Sequence, residues 1–225
     1  MINIFHPLDF DANTIYNTSI SIKKGCVNMS TSNKLQDFLS KNGSIITTTQ
    51  ANAIGISNER LRLFVNSGVL ERAAYGIYIS PDEYLDKMYV AQVRRSKMIY
   101  SHETALFLHD LTDRDPISYS VTVPTGYNAK AIIDEDITVY SIKKDIHMLG
   151  VVQMETIFTH SVTVYGLERT ICDCIRSRNK MDIAVVTESL KRYVKRNDKN
   201  LNTLMEMAKV FRIEKILRTY MEVLL

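Results

Sequence analysis

The stretch from Ser44 to Ser80 constrains this chain most, because glycines cut it into two very short helices and a pair of short strands. Thr47 is followed three residues later by Gln50, a capping box that opens a helix over 48–54. Gly55 ends it, since glycine enters the left-handed turn conformation without a steric penalty. Ser57 caps a second helix, 58–66, which stops at Gly68. Leu70-Glu-Arg-Ala-Ala-Tyr-Gly-Ile-Tyr-Ile79 follows, two short apolar runs around a turn at Gly76, and predicts a hairpin. Helix, tight turn, helix and hairpin is the order of a winged helix-turn-helix, which lays its second helix in the DNA major groove.

The second helix has the two faces such a role needs. Leu61, Phe64 and Val65 stand at i, i+3 and i+4 and form a buried stripe. Asn58, Glu59, Arg62 and Asn66 fall towards the other side, with Arg60 at the margin. Arg pairs with two acceptors of guanine, and Asn pairs likewise with adenine. The candidate DNA-binding set is Thr48, Gln50, Ser57, Asn58, Arg60, Arg62 and Asn66, with Arg72, Tyr75 and Tyr78 from the hairpin, the wing. The bland alternative is the solvated face of any small helical domain.

Composition bounds the rest. A chain of 225 residues with 45% hydrophobic and 24% charged residues is an ordinary globular mixture, enough for one large domain or two modest ones. No apolar run approaches the ~20 residues of a membrane helix, and the first residues lack a basic region followed by an apolar core, so no secretory signal is expected. Three cysteines is an odd count; Cys172 and Cys174 fall on different sides of a predicted helix, which argues against a disulfide or metal pair between them. A reduced, cytoplasmic protein is expected.

The net charge of +3 is unevenly spread. Residues 29–98 and 176–225 carry an excess of Lys and Arg, whereas 99–175 hold five basic and eleven acidic residues. The helical segment suits phosphate, and the acidic middle does not. Near the end, Lys191 and Lys195 share a helix face at i, i+4, as do Arg192 and Arg196. Against a core stripe of Ile183, Val186, Leu190 and Val194 these four form an outward ridge for an acidic partner or nucleic acid; a plain solvated face is the alternative.

Residues 1–28 look unlike the remainder: they lack a helical period and contain Lys24-Gly25 ahead of Met29. Lys-Gly can be encoded by AAG-GGA, which resembles a ribosome-binding sequence. They are read as a leader whose natural start is Met29, the alternative being an N-terminal arm. Beyond it, a helix over 33–42 turns Leu35, Phe38 and Leu39 inward, and Ser80-Pro-Asp-Glu83 reads as a capping box opening a helix to Met98. Ser101 caps another helix. Ile117 to Pro124 alternates apolar and polar, a half-buried strand. Strands follow at 137–142, 151–158 and 162–165, then four helical stripes from Leu167 to Leu224. The fold class is α+β: a winged helix-turn-helix over 29–98, then an α/β domain over 99–225 made of a small sheet and a helical bundle.

No catalytic constellation emerges. Glu168 and Asp173 are five apart, a poor spacing for a shared metal, and Arg169 and Asp173 have the i, i+4 spacing of an ion pair. The five histidines show no metal spacing such as HExxH. A phosphate loop and a Gly-x-Ser-x-Gly nucleophile elbow are both missing. Neither enzyme activity, metal nor cofactor is expected.

Four segments carry a resemblance: Tyr75-Gly-Ile-Tyr78, Tyr100-Ser-His-Glu-Thr-Ala-Leu106, Val121-Thr-Val-Pro124 and Gly166-Leu-Glu-Arg-Thr-Ile-Cys-Asp173. In their order and spacing, over nearly everything from Met29 on, the chain resembles the AbiEi antitoxins of bacterial abortive-infection (phage defence) toxin-antitoxin systems. The resemblance implies a transcriptional repressor that binds double-stranded DNA at its own operator, with inverted repeats. It also implies an antitoxin that neutralises a nucleotidyltransferase-like toxin without a stable complex. Two other readings stay open: a protein-interaction module without DNA binding, and a nuclease-like enzyme fused to a DNA-targeting domain.

Overall fold

The computed structural model describes residues 29–224, apart from 82, 134 and 136; the expectations for 1–28 lie outside the described residues. The chain divides into two compact units at Glu83/Tyr84. In the first, helix α1 (Met29–Asn42) leads into strand β1 (Ile45–Thr47), helix α2 (Thr48–Ala53) and helix α3 (Asn58–Asn66), then the hairpin β2 (Glu71–Ala74) and β3 (Ile77–Ile79). The three strands are antiparallel in the order β1-β3-β2, with Ile45 opposite Ile79 and Arg72 opposite Tyr78. Sequence periodicity missed β1, since three residues carry no period. Its two isoleucines join Leu35, Ala51, Ile56, Leu61, Phe64, Leu70 and Ile77 in the buried interior.

Local chemistry sets these elements. Thr47 and Gln50 form the reciprocal capping box, each bonding the other's backbone N–H, and Ser57 accepts from the N–H of Arg60. Gly55 and Gly68 take φ of +80 and +73, the left-handed conformation that ends each helix. Phe64 fixes α3 to the hairpin, its carbonyl accepting the N–H groups of Val69 and Leu70.

The boundary read from sequence at 98/99 moves to 83/84. No helix starts at Ser80, Pro81 or Glu83; helix α4 (Lys87–Val93) is capped instead by Asp86, which accepts from the N–H of Tyr89. This helix belongs to the second unit because its buried Gln92 bonds the carbonyls of Met98 and Thr163 and accepts from the N–H of Thr163. A half-buried Ser80 and a proline could not compete with those contacts.

The second unit is built on a mixed five-stranded sheet in the order β6-β5-β4-β8-β7, formed by β4 (Ile99–Tyr100), β5 (Ser120–Pro124), β6 (Thr138–Ile142), β7 (Val151–Glu155) and β8 (Ser161–Tyr165). Helix α5 (His102–Leu108) follows β4; short helices α6 (Lys130–Ile133) and α7 (Lys144–His147) flank β6. Among the described residues four α-helices follow: α8 (Leu167–Arg176), α9 (Ile183–Lys195), α10 (Leu201–Val210) and α11 (Glu214–Leu224). Two apolar clusters form. Tyr100, Val121, Val123, Val162 and Val164 pack with α4 and α6, and α8 packs with α5 and α9 to α11.

The expected half-buried strand is buried on both faces. β5 turns Val121 and Val123 to the apolar cluster, while its polar alternates are satisfied internally. Ser120 donates to Glu103, and Thr122 donates to Ser101. Helix α9 also differs, burying Val185, Val186, Ser189, Leu190 and Tyr193 and leaving Ile183 exposed. The expected stripe is thus rotated, because the Tyr193 hydroxyl is drawn inward to donate to Glu168.

Candidate nucleic-acid interface

The site follows from which face of α3 the core leaves free. Leu61 and Phe64 are fully buried and Arg60 and Val65 half-buried, so Asn58, Glu59, Arg62, Leu63 and Asn66 point to solvent. At about 100° per residue, Glu59 and Asn66 lie on the crest of that face, with Arg62 and Leu63 on its two flanks. The hairpin adds a second projection. Tyr75 at its turn is 87% exposed, and the Arg72 guanidinium lies over its ring at 5.5 Å while its Nε donates to the carbonyl of Ala74. A stacked arginine held by its own strand is pre-oriented at low entropic cost.

Several residues of the candidate set have local work. Thr48 ties α2 to the hairpin through its backbone N–H and hydroxyl, both donating to the carbonyl of Gly76. Gln50 is engaged as the capping partner of Thr47, and Ser57 caps α3. Tyr78 is half-buried against the core of the first unit. Ser57, Asn58, Arg62, Asn66, Arg72 and Tyr75 are the members of the set that stand exposed. Two residues were missed. Lys34 of α1 carries its ammonium beside Gly55, within 3.6 Å of where a β-carbon there would lie, placing a cation at the turn between α2 and α3. Leu63 was missed because an apolar residue in a helix reads as core, although the step of about 100° per residue from Leu61 and Phe64 already puts it on the outer side.

The C-terminal ridge is only half available. Arg192 forks onto Asp113 at 2.8 and 2.5 Å and reaches Glu188, and Arg196 grips Asp198 and donates to the carbonyl of His109. Lys191 and Lys195 remain exposed on α9. The Arg192 and Arg196 charges are therefore spent largely on their own unit; the Arg192–Asp113 pair spans 79 residues, which no local spacing predicts.

The polar cluster on α8 is interior. Arg169 and Asp173 are both fully buried and bonded at 2.8 Å; the guanidinium also donates to the carbonyls of Ile146 and Leu149 and lies between the rings of Tyr165 and Phe211. Burial pushes the Asp173 carboxyl above its ordinary value, against the opposing pull of Arg169. His102 is sealed between the hydroxyls of Ser101 and Ser177 and stacked on Tyr140, and burial holds it well below the usual imidazole value. His160 bonds Asp86, the α4 cap. Among the described residues no three His, Cys, Asp or Glu are grouped to hold a metal ion. Cys172 and Cys174 are free and buried, and burial pushes the Cys172 thiol up to about 12. No helix among the described residues is long and apolar enough to cross a membrane.

No curated protein matches the chain. The fold is similar to that of the RV2827C protein from Mycobacterium tuberculosis, with a TM-score of 0.51 and 12% identity over 80% of this chain and 71% of that one. At that identity the likeness concerns the fold alone. Residues 33–81, from the second turn of α1 to just past β3, match the family model described as a transcriptional regulator, the AbiEi antitoxin.

Proposed function

We propose that the first unit is a winged helix-turn-helix that binds duplex DNA, and that the chain is an antitoxin repressing its own operon in the cytoplasm. Helix α3 enters the major groove, the hairpin β2–β3 serves as the wing, and Lys34 and Arg72 meet phosphates. The observation that carries this reading is the exposed face of α3. It presents Arg62 and Asn66, side chains that pair bidentately with base edges, within the segment matching the regulator family. In the same reading the second unit neutralises a nucleotidyltransferase-like toxin and performs no catalysis of its own. Its titratable clusters at Arg169, His102 and His160 are occupied in packing.

Mobility-shift titration of the full chain on its own upstream region tests the reading. Arg62→Ala should cost about 1–3 kcal/mol of discrimination if it makes a bidentate base contact. Arg72→Ala should weaken all duplexes alike and reduce the salt slope by about one charge. Intact operator binding at moderate salt after the double change Arg60→Ala and Arg62→Ala refutes the assignment. For the antitoxin role, the toxin is co-expressed with the full chain and with the Arg62→Ala, Arg72→Ala variant. Suppression of toxicity by both supports separable roles.

A further inference from the structure

On the exposed face of α3 one residue does not fit a solvated surface: Leu63, 39% exposed, among Glu59, Arg62 and Asn66. Isolated exposed leucines are common and need no explanation by themselves. This one sits on the flank of the face opposite Arg62, and the four residues 59, 62, 63 and 66 span about 10 Å along the helix, close to three base steps. Of the groups that base pairs display in the major groove, the thymine 5-methyl is the apolar one. A leucine pressed on the groove floor gains by covering that methyl. Set against the cytosine amino group instead, it would strip a donor of water without offering an acceptor, which is unfavourable.

Resting on the DNA-binding reading above, we propose that Leu63 is a specificity-determining residue that reads a thymine methyl, within one base step of the position contacted by Arg62. The neighbouring Arg62, Asn66 and Glu59 supply hydrogen-bonding partners for guanine, adenine and cytosine, so the face carries one matching group for each base.

The test uses the full chain and a random-sequence duplex pool. Bound duplexes are sequenced, and each thymine of the selected site is replaced singly by deoxyuridine, which removes only the methyl. A loss of about fourfold is expected at one thymine, the value of burying one methyl-sized group. Leu63→Ala should abolish that penalty, and Leu63→Gln should shift the preference there towards adenine. Thermal melts of both variants check that the fold persists. If no thymine shows the penalty, or if Leu63→Ala retains it while Arg62→Ala still weakens binding, the Leu63 assignment is overturned and DNA binding stands. If the pool yields no enriched duplex and Arg62→Ala changes nothing, the DNA-binding reading itself has failed, and the assignment goes with it.

Discussion

The buried pair Arg169–Asp173 offers the sharpest test of how the second unit is held together. Asp173→Ala leaves a fully buried guanidinium without its counter-charge, and the removal of one partner from such a pair costs about 3–5 kcal/mol. Arg169→Met also orphans the carbonyls of Ile146 and Leu149, bonded at 3.0 and 2.7 Å, each worth about 1–3 kcal/mol when left unmade. It is partly relieved by Arg176, whose Nη2 lies 3.2 Å from Asp173 Oδ1. About 5 kcal/mol is expected. The double change Arg169→Met, Asp173→Ala removes both charges, so chiefly the carbonyl loss should remain, about 2–4 kcal/mol. The cycle should therefore show a coupling of about 3 kcal/mol or more between the two sites. Urea unfolding followed by circular dichroism measures all four proteins, with an unchanged m-value required for comparison. Arg169→Met adds a pH signature. Its carboxyl, already raised by burial, loses the charge that lowers it, so the folded state holds a proton that the unfolded state releases near 3.8. Its stability should fall as pH rises from about 4 through the folded value. A cost below about 1 kcal/mol for Asp173→Ala, or simple additivity, refutes the reasoning.

Other expectations follow from single features. His102, His109 and His147 are each held below the ordinary imidazole value, chiefly by burial, so the unfolded state takes up protons first. The second unit should lose stability as pH drops below about 6.5, and a denaturation midpoint that rises on acidification would contradict this. Gly76 has φ +71, and a β-carbon there would lie 3.3 Å from the Thr48 hydroxyl that fastens the hairpin. Gly76→Val should destabilise the first unit by more than about 1 kcal/mol, read as a lower melting temperature, and weaken DNA binding with it. Reversing Lys191 and Lys195 to Glu should leave the melting temperature almost unchanged, since surface changes usually stay within ±0.5 kcal/mol. Loss of toxin neutralisation by that variant would assign these two lysines to the toxin-facing surface, and normal neutralisation would make them a solvated face.

Much of the first unit was legible because its signals are local. Thr47 and Gln50, Ser57, Gly55 and Gly68 act within four residues of the bonds and turns they make, so α2 and α3 fall where the sequence places them. The i, i+3 spacing of Leu61 and Phe64 correctly identified the buried side of α3. Local pattern failed wherever a distant group decided. Ser80 to Glu83 has the letters of a capping box, yet Asp86 caps α4, and Gln92 anchors that helix to Thr163, 71 residues away. The alternation of β5 was real, but its hydroxyls turned inward because Ser101 and Glu103 were there to receive them.

The candidate site divides in the same way. Sequence alone determined that this chain carries a short, capped helix with Arg62 and Asn66 on the side away from its core. Helix periodicity and capping are properties of neighbouring residues. The same spacing puts Leu63 on that side, where it is exposed; only the tertiary structure decided that Arg72 is stacked on Tyr75 and that Thr48 and Tyr78 serve the fold. It likewise committed Arg192 to Asp113 and sealed Arg169 between two aromatic rings. The physical reason is that a side chain's partners, and hence the surface left to a ligand, are fixed by packing between segments remote in the chain, which residue spacing does not encode.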